Sequence, residues 1–96
     1  TVALRPATDD DRPFLERVYA STRDEELAGL PWDDAARDAF VHQQFAAQDH
    51  HYRAYYDGAE FHVVLRDGEP VGRLYVARWP SEIRVMDVAL LPAHRG

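Results

Sequence analysis

Cysteine, lysine and asparagine are all absent from this sequence of 96 residues. Without cysteine, the chain can form no disulfide, offers no thiolate to a zinc ion and has no cysteine nucleophile. Every apolar run is interrupted by an acidic residue, an arginine or a proline, so none is long enough to cross a membrane. A secretory leader is not visible either. These absences predict a globular cytoplasmic protein without a membrane partner, and the shortage of lysine and asparagine is typical of a GC-rich bacterial genome.

Positive charge is also scarce, since 17 acidic residues stand against 11 basic ones and the formal net charge is −6 at pH 7. A protein whose main partner is nucleic acid needs a basic face for the phosphates, so this balance argues against nucleic acid. No metal site is expected. The acidic run Asp9–Asp11 is most simply a helix start. His50 and His51 point about 100° apart on a helix, so their imidazoles cannot share an ion without other ligands.

The hydrophobic spacing predicts a short strand over 2–5 and then two helices. The first helix is capped at Asp9 or Asp10, and residues 21–30 are predicted to form a loop or a short helical turn. The second helix is capped by Asp33 and runs to about residue 56. Apolar residues at helical spacing predict the buried stripe of each helix. These are Phe14, Leu15, Val18 and Tyr19 in the first helix, and Val41, Phe45, Gln48, Tyr52 and Tyr55 in the second.

The period changes to that of strands in the second half of the chain. Strands are predicted over 61–66, 71–78 and 83–91, with a hairpin turn at Asp67–Gly68. The order β-α-α-β-β-β predicts one α+β domain over residues 1–96, with helices packed on a mixed, mostly antiparallel sheet. Both faces of the last strand are largely apolar, so we expect cover on both faces and a neighbour at each edge. Left open, this strand favours a homodimer.

The residues after the last strand carry a resemblance to a known family. The segment 87–96, DVALLPAHRG, resembles the end of strand four and the opening of the acetyl-CoA motif in GNAT N-acetyltransferases, aVxPxxRGxGxG. Leu90 stands at the usual valine, Pro92 at the proline and Arg95-Gly96 at the first two loop positions. The element order and the hairpin over 67–72 are also similar to the family's N-terminal half. The resemblance implies the N-terminal part of a GNAT domain, ending inside the pyrophosphate loop.

The resemblance implies transfer of an acetyl group from acetyl-CoA to the primary amine of a small molecule or peptide, without a metal. In the family, the backbone of the fourth strand pairs with the pantetheine arm, which here implies Val88, Ala89 and Leu90. A glycine-rich loop before a helix turns N–H groups towards a pyrophosphate, and Arg95 and Gly96 begin that loop by resemblance. The general acid usually comes from the second half of the domain, so we expect the 96 residues alone to be inactive.

Asp87 and Glu82 are the candidate catalytic carboxylates. Asp87 lies in mid-strand among apolar neighbours, which suits a carboxylate that accepts a proton from an amine. The alternative for Asp87 is an ion pair with an arginine on the adjacent strand, such as Arg73. Glu82 lies near the start of the last strand. The basic glutamate of the family aligns nearer Arg84 in this sequence, so the identity of the general base stays open.

Aromatic and imidazole side chains are concentrated near the end of the second helix. His51, Tyr52 and Tyr55 are candidates for binding the amine, because the first two helices form one side of the acceptor cleft in the family. Trp32 is a further candidate. The alternative for Tyr52 and Tyr55, which their helical spacing favours, is packing in the core, and Trp32 alternatively only fixes the start of the second helix. An acidic, aromatic surface suits a small cationic amine, a peptide N-terminus or an aminoglycoside.

Two other functions fit the same sequence. A GNAT-like half without catalytic activity could serve assembly or regulation. An unrelated α+β domain could bind a ligand, with Leu91-Pro92 as a simple strand end. The residues encoded after Gly96 discriminate among the three functions, since an Arg-Gly-x-Gly continuation favours the enzyme.

Overall fold

The computed structural model describes residues 1–56 and 58–95. Two α-helices and four β-strands form an α+β fold, which confirms the predicted class and element order. The strands are β1 (Val2–Pro6), β2 (Ala59–Arg66), β3 (Glu69–Trp79) and β4 (Glu82–Leu90), and the helices are α1 (Arg12–Ala28) and α2 (Asp34–Tyr55). No helix within the two described ranges is long and apolar enough to span a membrane.

The four strands form one sheet in the order β1-β2-β3-β4, and each neighbouring pair is antiparallel. The hairpin between β2 and β3 turns at Asp67 and Gly68, whose φ angles are 52° and 84°. Two positive φ angles are the signature of a type I′ turn, whose twist matches that of the strands, so the predicted hairpin is confirmed. Two strands each contain one extra residue, Val71 in β3 and Met86 in β4. Such a bulge bends the strand and re-aims the side chains beside it.

Helix α1 is longer than its sequence predicts, because residues 21–28 continue the helix instead of forming a loop. The hydroxyls of Ser21 and Thr22 each donate a hydrogen bond of 2.7 Å to the backbone carbonyl three residues earlier. These hydroxyls are thereby satisfied inside the helix and do not draw the backbone into a turn. Leu27 is buried in the core one turn later. The prediction of a loop is wrong, since these contacts outweigh the polar composition of the segment.

An aspartate organises the start of each helix. A 3₁₀ turn over Asp9–Asp11 leads into α1, whose N-cap position is Asp11 and not Asp9 or Asp10 as predicted, because Asp9 and Asp10 belong to that turn. Asp11 accepts a hydrogen bond of 2.8 Å from the Thr8 N–H and two from the Arg5 guanidinium, at 2.7 and 2.8 Å. These bonds tie β1 to the start of α1. Asp33 caps α2 as predicted, because its Oδ1 accepts a hydrogen bond of 2.8 Å from the backbone N–H three residues later.

Both helices pack on one face of the sheet and enclose the core there. The rings of Tyr19 and Phe45 meet edge-on, with 6.1 Å between their centres. Burying a large apolar side chain stabilises a fold by about 1.5–3 kcal/mol, so a few such residues hold the helices in place. The buried cluster consists of Leu15, Tyr19, Leu27, Val41, Phe45 and Val63. The stripe predicted for α1 is therefore confirmed at its centre, and that of α2 is confirmed at Val41 and Phe45.

The outer edge of β4 is open. Within residues 1–56 and 58–95, β4 pairs with β3 alone. Ile83, Val85 and Val88 are exposed, the last to 63% of its surface. The expected cover on both faces and the expected second neighbour are therefore not met among the described residues. The free peptide groups of this edge are accessible to a ligand or to another strand.

Candidate functional site

Asp87 lies where β3, β4 and α2 meet, directly after the extra residue of β4. Its Oδ2 accepts a hydrogen bond of 2.8 Å from Arg73 Nη2 and another of 3.1 Å from the Tyr52 hydroxyl. The carboxylate is only 17% exposed. The ion pair with Arg73, which is the alternative to a catalytic role, is thus present, and the phenol of Tyr52 is a second donor to the same oxygen.

Arg73 is a charged group buried in the sheet, with a side chain only 2% exposed. Its Nη2 also donates to Gln48 Oε1 at 3.0 Å. Its guanidinium carbon lies 5.7 Å from the ring centre of Tyr19 and 5.0 Å from that of Tyr75. A buried guanidinium needs such partners, because removing a charge from water without compensation is costly. Asp87 supplies the counter-charge, and the two rings add cation–π attraction.

Tyr52 projects from the end of α2 onto Asp87. Burial first, and then the charge of Asp87, raises the pKa of the Tyr52 phenol to about 12. The hydroxyl therefore keeps its proton at neutral pH and donates it to Asp87, so the phenol oxygen can still accept a hydrogen bond. Burial also raises the pKa of the neighbouring Tyr75 phenol. The rings of Tyr52 and Tyr75 meet edge-on, with 5.8 Å between their centres.

Four aromatic side chains surround the end of α2. The imidazole of His51 lies 6.2 Å from the ring centre of Tyr52, 5.0 Å from that of Tyr55 and 6.0 Å from that of Tyr56. The structure therefore brings His51, Tyr52 and Tyr55 together, as the sequence suggests for a binding surface. Core packing, the alternative favoured by helical spacing, is wrong for Tyr55, which is 74% exposed. Tyr52 is half-buried because Asp87 and Tyr75 lie against it.

Trp32 lies apart from this group. It lies just before Asp34, the first residue of α2, and Tyr52 is 18 residues beyond Asp34 in that helix. At 1.5 Å per residue, Asp34 and Tyr52 are about 27 Å apart. The indole packs edge-on against Phe40, with 5.2 Å between ring centres. This contact matches the alternative in which Trp32 fixes the start of α2.

Glu82 is also remote from Asp87. It is exposed at the first position of β4 and lies 3.6 Å from Arg84 Nη2. Asp87 is five positions beyond Glu82 along the strand, which corresponds to about 16 Å. The two candidate carboxylates therefore do not share one site, and Asp87 alone faces the aromatic group.

The free edge of β4 presents backbone groups of alternate residues. Leu91 N–H donates to Val71 C=O at 2.8 Å, so the backbone of Leu91 is turned towards β3. In an antiparallel ladder the direction alternates from one residue to the next. Leu90 and Val88 therefore direct their N–H and C=O groups to the open edge, and Ala89 directs its own to β3. Of the three strand residues implied by the resemblance, Val88 thus offers both backbone groups to the edge and Leu90 offers its N–H, because the C=O of Leu90 accepts a hydrogen bond from Arg95.

A groove of about 520 Å³ follows this edge. Thr22 of α1 forms one wall, and the opposite wall consists of Val88, Ala89, Leu90 and Arg95. Arg95 crosses its end, since Nε donates to Leu90 C=O at 2.9 Å and Nη2 donates to Ser21 Oγ at 3.2 Å. Gly96, the other residue implied for the pyrophosphate loop, lies outside the described residues.

Two contributors to the site are not suggested by the sequence. Gln48 is counted there in the apolar stripe of α2, although a polar residue in such a stripe is itself a sign of a buried hydrogen-bond partner. Thr22 falls in the segment predicted as a loop, so its place beside β4 is not foreseen. Within residues 1–56 and 58–95 there is no group of three histidine or acidic side chains that could hold a metal ion.

The sequence matches no family model and no curated protein. The structure is similar to the crystal structure of PaiA N-acetyltransferase from Thermoplasma acidophilum in complex with coenzyme A, with a TM-score of 0.61 and 12% sequence identity over 98% of this chain. A second similar structure is an aminoglycoside acetyltransferase from an uncultured soil metagenomic sample, with a TM-score of 0.45 and 17% identity over 99% of this chain. The chain spans 61% of the length of each of these proteins.

Identity of 12% is evidence of a shared fold. The resemblance suggested by the motif at the end of β4 is confirmed at that level. The chain therefore has the fold of the GNAT-type N-acetyltransferases, over 61% of the length of the PaiA enzyme it matches.

Proposed function

We propose that this chain belongs to a cytoplasmic, bacterial enzyme that transfers an acetyl group from acetyl-CoA to the primary amine of a small molecule or peptide. The observation that supports this most directly is the open edge of β4. Val88 directs its N–H and C=O, and Leu90 its N–H, into a groove beside α1, and such groups can pair with the amides of an extended ligand as a neighbouring strand would.

The edge and the residues after it are the proposed site for acetyl-CoA. Val88 pairs with the pantetheine amides through its N–H and C=O, Leu90 pairs through its N–H, and Ala89 lies between them in the wall of the groove. Arg95 and Gly96 begin the loop for the pyrophosphate. Acetyl-CoA supplies the acetyl group as a thioester, and an N–H group of this edge can polarise its carbonyl oxygen.

The amine is proposed to approach from the end of α2. Asp87 and Tyr52 contact the reacting nitrogen, and His51 and Tyr55 form the outer aromatic surface. The nitrogen lone pair forms the new bond to the acetyl carbon while the carbon–sulfur bond breaks. The surplus proton of the nitrogen ends on the released thiol, so the products are an amide and coenzyme A. Glu82 and Trp32, named from the sequence, lie too far along their elements to join this contact.

Assembly or regulation without catalysis is the second candidate function. It is favoured by the exposed apolar side chains of β4, Ile83, Val85 and Val88, which suit pairing with another strand. A homodimer through β4 follows from the same observation. Because the chain spans 61% of the length of the acetyltransferases it matches, we expect the isolated 96 residues to be inactive.

Calorimetry with acetyl-CoA tests the proposal, on the 96 residues and on the product of the complete gene. We expect the complete product to bind acetyl-CoA and to acetylate at least one amine of a panel. The panel consists of an alkylamine, a diamine, an aminoglycoside and a peptide with a free N-terminus. V88P removes one outward N–H, which an edge strand tolerates, and should weaken acetyl-CoA binding about tenfold, as expected for the loss of one hydrogen bond. V88T keeps the N–H and should bind normally. Absence of acetyl-CoA binding by the complete product would refute the proposed acetyltransferase function.

A further inference from the structure

The carboxylate that faces the proposed amine site is already neutralised from inside the protein. Arg73 binds Asp87 Oδ2 at 2.8 Å and is almost completely buried. An unpaired carboxylate at this place would attract an ammonium ion and keep it protonated, because a nearby opposite charge favours the charged form. A carboxylate paired with an arginine stabilises the ammonium ion much less. An ammonium ion has no lone pair, so only the neutral amine can attack a thioester.

We propose that Arg73 is a positioning residue that makes the site select the neutral amine over the ammonium ion, by cancelling the charge of Asp87 beside Tyr52. This inference rests on the proposed function. Arg73 does not contact the substrate, and it acts only through Asp87. Gln48 supports it by accepting a second hydrogen bond of 3.0 Å from the same guanidinium nitrogen.

The hydrogen bonds at the site match the donors of a neutral primary amine. Both protein donors bind Oδ2 of Asp87, so Oδ1 can accept an N–H from the substrate. The Tyr52 hydroxyl donates its hydrogen bond to Asp87, so its oxygen can accept a hydrogen bond from the substrate as well. A primary amine has two N–H groups and one lone pair. Two acceptors therefore orient both N–H groups and leave the lone pair for the reaction.

The groups that contact Asp87 directly are Arg73 of β3 and the Tyr52 phenol of α2. The phenol of Tyr75 also interacts with Asp87, whereas Tyr56 and Asp49 of α2 act on Tyr52 and Tyr75, respectively. The Tyr52 and Tyr75 phenols are neutral near pH 7, because burial raises the pKa of both. Arg73 is therefore the group whose charge decides whether Asp87 acts as an anion towards the substrate.

Two single substitutions should change the pH dependence in opposite directions. The probe is the panel amine with the highest turnover, assayed with acetyl-CoA and the product of the complete gene. R73M exposes the amine to the full charge of Asp87. The acidic limb of the pH profile of kcat should therefore move to higher pH by about 1–3 units. The KM for the amine should fall about tenfold for each unit, because the ammonium ion then binds more tightly. D87N leaves Arg73 uncompensated, so the limb should move down and KM should rise.

If Arg73 had a merely structural role, R73M and D87N would both lose activity, but the acidic limbs of their pH profiles would stay at the same pH. That result overturns the inference. R73K keeps the charge and should restore the wild-type limb. The double variant R73M/D87N carries neither charge and should also show the wild-type limb, so the test stands if a single variant does not fold. A displaced limb in the double variant overturns the inference as well.

An ultraviolet titration of the tyrosines adds a measurement that needs no substrate. Subtracting the titration curve of Y52F isolates the Tyr52 phenol, which should titrate higher in R73M and lower in D87N than in the wild type. If the Tyr52 phenol titrates at the same pH in all three proteins, Arg73 and Asp87 do not act on it and the inference is refuted. If the wild type acetylates no panel amine, the proposed function fails together with the inference. If turnover is present and the limbs do not separate, the inference alone fails.

Discussion

Replacing Arg73 with methionine should leave the Asp87 carboxylate inside the protein without its counter-charge. The two side chains are 2% and 17% exposed and 2.8 Å apart. Removing one partner of a buried ion pair costs about 3–5 kcal/mol. Because Asp87 keeps some contact with water, we expect the lower end, about 3 kcal/mol. The second substitution, D87N, removes the unpaired charge while keeping an acceptor for Tyr52, so R73M/D87N should recover about 2 kcal/mol of that loss.

Urea denaturation of the four proteins, followed by circular dichroism, gives the free energies of unfolding and their coupling. A loss of 1 kcal/mol lowers the midpoint of thermal unfolding by about 4–8 °C in a domain of this size. R73M should therefore unfold about 12–24 °C below the wild type. The expected loss of about 3 kcal/mol is a large part of the free energy of unfolding of a small domain, which is typically about 5–15 kcal/mol.

The pair of Glu82 and Arg84 is the matched control, since it lies on the same strand with both side chains about half exposed and 3.6 Å apart. Exposed pairs contribute roughly 0–1 kcal/mol, so the cycle of E82Q and R84M should give a coupling below about 0.5 kcal/mol. A coupling between Arg73 and Asp87 as small as this would refute the reasoning, because burial would then have no effect on the strength of the pair.

Two further predictions concern β1 and β3. The Arg5 guanidinium, followed by the Thr8 N–H, holds the pKa of Asp11 well below its usual range, so its stabilising contribution is present above the unfolded value, near pH 4, and is lost as the pH falls further. D11N should lower the free energy of unfolding by about 1 kcal/mol at pH 7, and urea denaturation at pH 2 should show a smaller difference; an equal difference at both values contradicts this. In G72A, the added methyl meets Ala89 C=O and comes within 2.7 Å of Leu90 Cδ2, so we expect a loss of about 1–3 kcal/mol. In the control G29A, the nearest atom is 3.8 Å away, and thermal unfolding should change little.

Much of the fold could be predicted because its signals are local. The Asp67–Gly68 turn, the Asp33 cap and the alternation of the strands each depend on a few adjacent residues. The segment 21–28 could not be assigned in this way. Its polar side chains favour a loop when they are considered alone, and the helix is decided by Leu27, which is buried against residues from elsewhere in the chain.

The site divides along the same line. The sequence by itself determined the element order and the aromatic residues near the end of α2, because each of these follows from neighbours in the chain. Val88–Leu90 were named through the resemblance of the motif that follows them, whereas the apolar pattern of the strand predicted a neighbour at each edge. Only the tertiary structure decided that Asp87 is paired, that Tyr52 touches it and that Glu82 and Trp32 lie elsewhere. Arg73 and Tyr52 are 14 and 35 residues from Asp87. They meet it because the register of β3 and β4, with the extra residue Met86, and the packing of α2 bring three elements to one point.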